Sequence, residues 1–126
     1  MKFTLGKDKK LKSRKRIERL FVSGKRIQEF PLKAVYFTEP SDVAGFQLAV
    51  SVPKKLFKRA TDRNLLKRRM REAFRIHQEK LKLNSKLEIM FIYSAHEILD
   101  FDRIESAMLV LIDSLNLISI DNNSEK

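Results

Sequence analysis

The chain has 126 residues, of which 43% are apolar and 34% charged, and it carries a formal net charge of +11 and no cysteine. This length fits a single domain over residues 1–126, and the composition excludes a disordered chain, a disulfide framework and a thiolate metal site. The N-terminal residues lack the apolar segment of a secretory signal, and no apolar run approaches the roughly 20 residues of a membrane span, so we expect a soluble cytoplasmic protein.

The positive charge is concentrated in two segments of the chain. Residues 1–23 carry nine basic and two acidic residues, and residues 53–82 carry twelve basic and three acidic residues. Residues 83–126 are acidic, with eight acidic residues and three basic ones. Because evenly spread charge would serve solubility alone, this segregation indicates a surface that binds a polyanion. A nucleic acid is the favoured partner, and an anionic membrane surface is the alternative.

The start of the chain predicts a basic arm followed by a short helix. Residues 1–12 are basic and show no periodicity, so we expect an arm that is mobile until it binds. Ser13 is of a residue type that caps helix N-termini, and Gly24 is of the type that ends helices. Between them, Ile17 and Phe21 belong to an i, i+3, i+4 apolar pattern, which indicates an amphipathic helix.

Two strands follow, with a third at the edge of the sheet. Residues 32–38 are rich in aromatic and β-branched residues, and residues 46–52 alternate between apolar and small or polar side chains. The turn residues at 39–42 predict that these two strands pair as a hairpin, and Pro53 ends the second strand. Residues 26–30 are a candidate for a short edge strand.

The second half of the chain predicts a helix, a strand and a second helix. A basic loop at residues 54–59 leads to a helix that Thr61 or Asp62 would cap and that ends near Leu81. Residues 87–93 form an apolar run of strand length.

The last elements complete the fold class. Asp102 would cap a helix over residues 103–117, and residues 119–126 would form a flexible tail. The resulting α-β-β-β-α-β-α order predicts an α/β (α+β) two-layer sandwich, in which helices pack on a small mixed sheet.

The basic residues of the central helix are the strongest functional feature. Lys67, Arg68, Arg71 and Arg75 lie on this helix at spacings that bring like charges close together. Such pairs repel by a few tenths of a kcal/mol each, and a bound polyanion would remove that cost while releasing its counterions. The alternative interpretation is a basic helix face that only contacts water. The basic loop and the basic N-terminal arm make this alternative less favoured, because one helix alone would not explain their charge.

Residues for catalysis by the protein itself are few. His77 falls on the apolar stripe of the central helix and His96 in a loop, and no Ser-His-Asp or Cys-His arrangement is readable. The acids Asp100, Asp102 and Glu105 lie close together, but they lie where a helix begins and acids are expected. The sequence therefore assigns no catalytic residue and no metal ligand to the chain.

The central helix carries a family resemblance. Residues 58–75 read KRATDRNLLKRRMREAFR, which closely resembles the signature helix of the bacterial ribonuclease P protein family. Arg63 and Asn64 match the first two positions of its Arg-Asn-Arg element, while Leu65 stands where the family has its second Arg. The segments LKSRKRIERLFVSGKRI and FQLAVSVPKK resemble the first helix of the family and a strand that ends in paired lysines.

This resemblance implies a function and separate roles for the RNA subunit and the protein subunit. In the family, the RNA subunit and its Mg²⁺ ions carry out the catalysis that removes the 5′ leader of precursor tRNA. The protein binds that catalytic RNA through the signature helix and the preceding loop, and it contacts the 5′ leader in a cleft between the first helix and the exposed sheet face. No membrane and no further protein partner are implied. The family's strand-helix-strand crossover is left-handed, against a strong general preference.

The resemblance and the residue pattern together give two sets of candidate residues. Ala49 and Ser51 would leave a shallow trough on the sheet, and the strand register decides whether Val35 or Tyr36 lines it. The residues expected to bind the RNA subunit are Lys58, Arg59, Arg63, Asn64, Lys67, Arg68, Arg71 and Arg75. The residues expected to bind the 5′ leader are Ile17, Phe21, Val35, Tyr36, Ala49, Ser51, Lys54 and Lys55.

Two other functions are compatible with the charge pattern. A structural RNA-binding protein of the ribosome or of its assembly would share the basic surface, but it gives no reason for a leader cleft. A helix-turn-helix DNA-binding protein would use the helix over residues 63–81, and the chain lacks the close preceding helix that this motif needs.

Overall fold

Three α-helices and four β-strands form the part of the chain that the computed structural model describes, which is residues 10–40, 44–83 and 85–124. In chain order the elements are α1 (Arg14–Ser23), β1 (Lys25–Glu29), β2 (Leu32–Glu39), β3 (Gly45–Ser51), α2 (Ala60–His77), a short 3₁₀ helix (Gln78–Lys80), β4 (Lys86–Tyr93) and α3 (Phe101–Ser124). This order confirms the predicted α+β class, including the short strand before residue 30. No helix within these ranges is long and apolar enough to cross a lipid bilayer.

The four strands form one mixed sheet in the order β1-β2-β4-β3. β2 pairs antiparallel with both β1 and β4, and β3 pairs parallel with β4. The predicted hairpin between residues 32–38 and 46–52 is therefore wrong, because β4 lies between those strands. The physical reason lies in β4 itself, which is buried along nearly its whole length. An apolar strand buried on both faces is stable in the centre of a sheet, with a strand on either side.

Four helix boundaries differ from the predicted ones. α2 ends at His77 and a 3₁₀ helix continues to Lys80, where an α-helix to near Leu81 was predicted. α2 begins at Ala60, so Thr61 and Asp62 lie inside its first turn and neither caps it. α3 is capped by Asp100, whose Oδ1 accepts a hydrogen bond from the backbone N–H of Arg103 at 3.0 Å. α3 also continues to Ser124, beyond the predicted end at residue 117, so the expected flexible tail is helical through Ser124. The sequence there contains neither Gly nor Pro to stop the helix.

One face of the sheet holds the main core. Side chains of β2, β3 and β4 pack there against α2 and α3, in a continuous cluster of buried residues. Phe74 of α2 lies at its centre, with its ring 5.1 Å from that of Phe46 and 5.7 Å from that of Phe91. These rings fix the distance between α2 and the sheet.

The opposite face of the sheet is covered only in part, by α1. Leu20 of α1 is fully buried against Val35 and Met90 in a second, smaller cluster. As predicted, Ser13 caps α1, since its Oγ accepts from the backbone N–H of Arg16. Gly24 follows the helix with an ordinary negative φ of −74°. It is glycine because a Cβ there would clash with the carbonyl oxygen of Leu20 and lie 2.9 Å from that of Tyr36.

The end of the N-terminal arm adds to the edge of the sheet. Lys10 pairs in parallel with Leu48 of β3, and the backbone N–H of Leu11 donates to the carbonyl oxygen of Leu48 at 2.8 Å. Leu11 is buried in the cluster beneath α1. The expectation of a mobile arm over residues 1–12 is therefore wrong for Lys10 and Leu11, because β3 offers them free hydrogen-bonding groups. Residues 1–9 lie outside the described part of the chain.

Candidate nucleic-acid interface

The basic face of α2 points away from the core. Leu66, Met70, Ala73 and Phe74 are the buried residues of the helix. A helix turns by about 100° per residue, so the positions opposite this apolar stripe are the exposed residues, which include Asn64, Arg68 and Arg71. The other predicted contacts on the helix, Arg63, Lys67 and Arg75, are half-buried and flank the exposed positions.

Arg63 holds the loop that precedes α2. Its Nη1 donates hydrogen bonds to the carbonyl oxygens of Phe57 and Lys58, both at 2.9 Å. Phe57 anchors the same loop from inside, since it is buried with its ring 5.7 Å from that of Tyr93. The predicted basic residues of the loop, Lys54, Lys55, Lys58 and Arg59, are all exposed.

Two other arginines of α2 are bound within the protein. Arg69 Nη1 donates to the carbonyl oxygen of Leu99 at 2.7 Å. Arg75 forms an ion pair with Glu72, one turn earlier on the helix, and the hydrogen bond between them raises the pKa of the Arg75 guanidinium above its ordinary value. Arg75 therefore keeps its charge, although a neighbouring carboxylate neutralises part of it.

The partly covered sheet face is built in rows of side chains. Val35, Met90 and Ala49 are register partners across β2, β4 and β3, and the apolar residues of α1 lie over this row. The row of Lys33 and Ile92 lies two residues earlier on β2 and two residues later on β4, and α1 leaves this row partly open. The edge of α1 and the uncovered row thus form the two sides of a groove.

This groove has a volume of about 500 Å³. Its lining includes Phe21 of α1, Lys33 and Val35 of β2, Ile92 of β4 and Lys55 of the loop before α2. Phe21 is 40% exposed, so part of its ring is open to a ligand. Three of the residues predicted to bind the leader, Phe21, Val35 and Lys55, therefore lie in one place.

The remaining residues of that predicted set lie elsewhere. Ile17 and Ala49 line a second cavity of about 280 Å³, which also contains Arg71. Tyr36 is 5% exposed and belongs to the main core, and its burial raises the pKa of its hydroxyl. The prediction that Tyr36 lines the trough is wrong, because neighbouring residues of a strand face opposite sides and Val35 faces α1. Ser51 is half-buried beside its register partner Ile92, and Lys54 is exposed beside Lys55.

Three basic residues of the groove were not predicted from the sequence. Arg26 of β1, Lys33 and His96 also line the groove. Lys33 has a readable signal, because it is a charged residue within an apolar strand and faces the same side as Val35. Arg26 pairs with Val35 across β1 and β2, so it becomes predictable once the register is known. His96 is brought in by a loop whose path the sequence does not indicate.

The loop after β4, residues 94–100, is fastened at several points. The Tyr93 hydroxyl donates to the carbonyl oxygen of Glu97 at 2.6 Å and accepts from the backbone N–H of Leu99 at 3.0 Å. The backbone N–H and the hydroxyl of Ser94 both donate to the carbonyl oxygen of Pro31, at 2.8 and 3.0 Å. Together with the bond from Arg69 to Leu99, these contacts fix the wall of the groove that carries His96.

The two histidines have separate surroundings. His77 Nε2 lies 2.9 Å from Glu105 Oε2 and links α2 to α3. His96 is exposed at the groove. Within residues 10–40, 44–83 and 85–124, no three His, Asp or Glu side chains come together as ligands of a metal ion would.

Comparison with known proteins identifies the family. The family model described as Ribonuclease P matches residues 5–116. The ribonuclease P protein component of Porphyromonas gingivalis strain W83 is 38% identical over an alignment of 114 residues, and the match covers 84% of this chain and 82% of that protein. The component from Idiomarina loihiensis is 41% identical over an alignment of 56 residues, and the match covers 40% of this chain and 45% of that protein.

Solved structures have the same fold. The RNase P protein from Thermotoga maritima is 25% identical and matches with a TM-score of 0.69 over 83% of this chain and 96% of that one. The Staphylococcus aureus RNase P protein is 20% identical and matches with a TM-score of 0.71 over 84% of this chain and 94% of that one. Since the family model spans most of the sequence, the chain belongs to the ribonuclease P protein family, whose known role is the processing of tRNA 5′ ends.

Proposed function

We propose that this chain is the protein subunit of a ribonuclease P holoenzyme and that it binds both the catalytic RNA and the 5′ leader of precursor tRNA. The observation that carries the proposal is the groove beside α1. Four separate segments of the chain contribute to it. Phe21 supplies a partly exposed aromatic ring, and Arg26, Lys33 and Lys55 supply three cations. Proteins that hold single-stranded nucleic acid combine an aromatic stacking surface with a positively charged groove.

The groove suits an extended strand with little sequence readout. Phe21 offers a ring face on which any base can stack, which is worth about 1–3 kcal/mol per base. Arg26, Lys33 and Lys55 can neutralise phosphates along the same strand. A leader differs in sequence from one precursor tRNA to the next, so a sequence-tolerant site is what the substrate requires.

The exposed face of α2 is proposed to bind the RNA subunit. Asn64, Arg68 and Arg71 are exposed on the helix, and Lys58 and Arg59 are exposed on the loop that Arg63 fastens. Cations spread over a helix and a preorganised loop match the spaced phosphates of folded RNA, and contact with them releases counterions. Lys67 and Arg75 extend this surface at its flank.

We assign the chemistry of cleavage to the RNA subunit and to Mg²⁺ ions that it binds. The protein supplies binding and orientation, and none of its residues is proposed as a catalytic group or a metal ligand. His77 is engaged with Glu105 between two helices, where it contributes to packing. We expect this holoenzyme to act in the cytoplasm and to need no other protein.

Reconstitution tests the proposed function. Purified protein is added to bacterial ribonuclease P RNA and precursor tRNA at a Mg²⁺ concentration too low for the RNA alone, and 5′ maturation is followed on a gel. We expect cleavage at the mature 5′ end only when the protein is present. A structural protein of the ribosome or its assembly would bind RNA without restoring cleavage, and that result would refute the proposal.

A further inference from the structure

A buried carboxylate attaches α1 to the centre of the sheet. Glu88 of β4 is 5% exposed and is the one buried charged residue in the described part of the chain. Its Oε1 accepts a hydrogen bond from Arg19 Nη2 at 2.7 Å, and its Oε2 accepts from Arg16 Nη1 at 3.3 Å. Both arginines belong to α1, so one carboxylate holds two positions of the helix that are almost one turn apart.

The two arginines also reach the strands on either side of β4. Arg16 Nη1 donates to Gln47 Oε1 of β3 at 2.9 Å. The Arg19 guanidinium lies 4.6 Å from the centre of the Phe37 ring of β2. The hydrogen bond to Glu88 raises the pKa of Arg19 above its ordinary value, so this contact favours the charged guanidinium. The polar attachment of α1 therefore spans three strands.

The apolar attachment of α1 is narrow by comparison. Leu20 is its one fully buried side chain, and Val22 is 85% exposed. Leu20 packs over the row that contains Met90, whereas Glu88 lies two residues earlier on β4. Two residues of a strand span about 7 Å. The partly buried Ile17 packs on the same cluster as Leu20, so α1 is held over two separated rows of the sheet. A helix held over one row can pivot, and contacts to a second row fix its direction.

The groove lies on the next row in the same direction. Ile92 follows Met90 by two residues on β4, and it lines the groove together with Phe21. A pivot of α1 about Leu20 would therefore move Phe21 relative to Ile92 and change the width of the groove. We propose that Glu88 is a positioning residue for the 5′ leader, because it fixes the direction of α1 and thereby the place of Phe21. This inference rests on the proposed function of the groove.

Charge alone predicts the opposite effect of removing Glu88. Replacing Glu88 by Gln raises the net charge of a protein that already carries +11, and more positive charge strengthens binding to RNA. The positioning role predicts weaker binding of the leader. Asp113→Asn is the matched control, because Asp113 is an exposed acid on α3 and the charge change is the same.

The first measurement compares holoenzyme affinity for precursor tRNA and for mature tRNA. In Glu88→Gln we expect the preference for precursor tRNA to fall by about fivefold or more. A change of about fivefold in affinity corresponds to the weakest stacking contact expected for one base. In Asp113→Asn the preference should stay at the wild-type value. Glu88→Asp, which keeps the charge, should restore a large part of the preference.

The second measurement reports the position of α1 without any RNA. The chain has no cysteine, so Val22→Cys on α1 and Ile76→Cys on α2 supply two unique sites for spin labels at exposed positions. We expect the distance distribution between the labels to broaden in Glu88→Gln and to stay unchanged in Asp113→Asn. If Glu88→Gln does not fold, Arg19→Gln replaces it in the distance measurement. This variant removes the shorter of the two hydrogen bonds to Glu88 by changing the partly exposed arginine and not the buried carboxylate.

Each outcome decides one part of the inference. An unchanged distance distribution would show that Glu88 does not position α1, and a broadened distribution with an intact preference for precursor tRNA would show that this position does not matter for the leader. Either result overturns the proposal. A wild-type holoenzyme without any preference for precursor over mature tRNA would instead refute leader binding by the groove, on which the inference rests.

Discussion

Arg68 and Arg69 are adjacent arginines of α2 in different surroundings. Arg68 is exposed on the face opposite the core, whereas Arg69 is half-buried and donates to the carbonyl oxygen of Leu99 at 2.7 Å. The logarithm of RNA affinity falls linearly with the logarithm of the salt concentration. If the exposed face binds RNA, Arg68→Ala should make this slope less steep by about 0.7–0.9, the value of one phosphate contact. Between about 50 and 200 mM salt, this difference amounts to about threefold in affinity.

Arg69→Ala is the internal control for this prediction. It removes the same charge from the same helix, but its guanidinium is engaged with the protein. We expect an unchanged salt slope and a loss of about 1.5 kcal/mol in the free energy of unfolding, at the low end for a hydrogen bond from a charged group because the side chain is only half-buried. Fluorescence anisotropy with labelled catalytic RNA gives the slopes, and urea unfolding gives the stability. Equal slopes for Arg68→Ala and the wild type would show that this face is merely solvated.

Three further predictions concern the groove and the stability of the fold. Phe21→Ala should cost about 1–2 kcal/mol of affinity for precursor tRNA and little for mature tRNA. Substitution of its exposed neighbour, Val22→Ala, should leave both affinities unchanged. Equal losses for the two RNAs would show that Phe21 is not part of the leader site. Gly24→Ala should lower the free energy of unfolding by about 1–3 kcal/mol, because the new methyl group has no room between two backbone carbonyls, and an unchanged urea midpoint would contradict this crowding. Burial raises the pKa of both Tyr36 and Tyr93 above the ordinary 10.0, so the folded state holds their protons more tightly and loses stability as the pH rises above about 10. Tyrosinate absorbance should therefore appear at higher pH in the folded protein than in urea, and coincident titrations would refute the burial.

The sequence predicts the kinds of element well and their pairing poorly. The run LEIMFIY predicts an apolar strand, and that strand is β4, which the structure buries on both faces. Nothing in the run says which strands flank it, because pairing depends on segments far away in the chain. The turn residues at 39–42 are a local signal for a hairpin, and the burial of β4 between β2 and β3 outweighs that signal.

The candidate site shows the same limit at the level of side chains. Periodicity identifies α2 as basic on one side, yet it does not separate Arg68 from Arg63 and Arg69. The guanidinium group of Arg63 donates to backbone carbonyls of the preceding loop, and that of Arg69 donates to a carbonyl of the loop after β4. Those carbonyls are placed by loop paths that the sequence does not indicate. Phe21 and Lys55 are predictable because aromatic and basic residues stand out in their segments, whereas His96 is not.

The fastened loop after β4 has a consequence for the energetics of binding. Ordering a flexible residue costs about 1–2 kcal/mol of conformational entropy, and a loop that became ordered only around its ligand would subtract that amount for each residue from the affinity. In this protein the loop is already ordered when the chain folds, so binding does not carry this entropic cost. The order comes from the hydrogen bonds of Ser94 to Pro31, of the Tyr93 hydroxyl to Glu97 and Leu99, and of Arg69 to Leu99. The groove is thus preorganised along this wall, and an incoming strand can use its stacking and phosphate contacts for affinity alone.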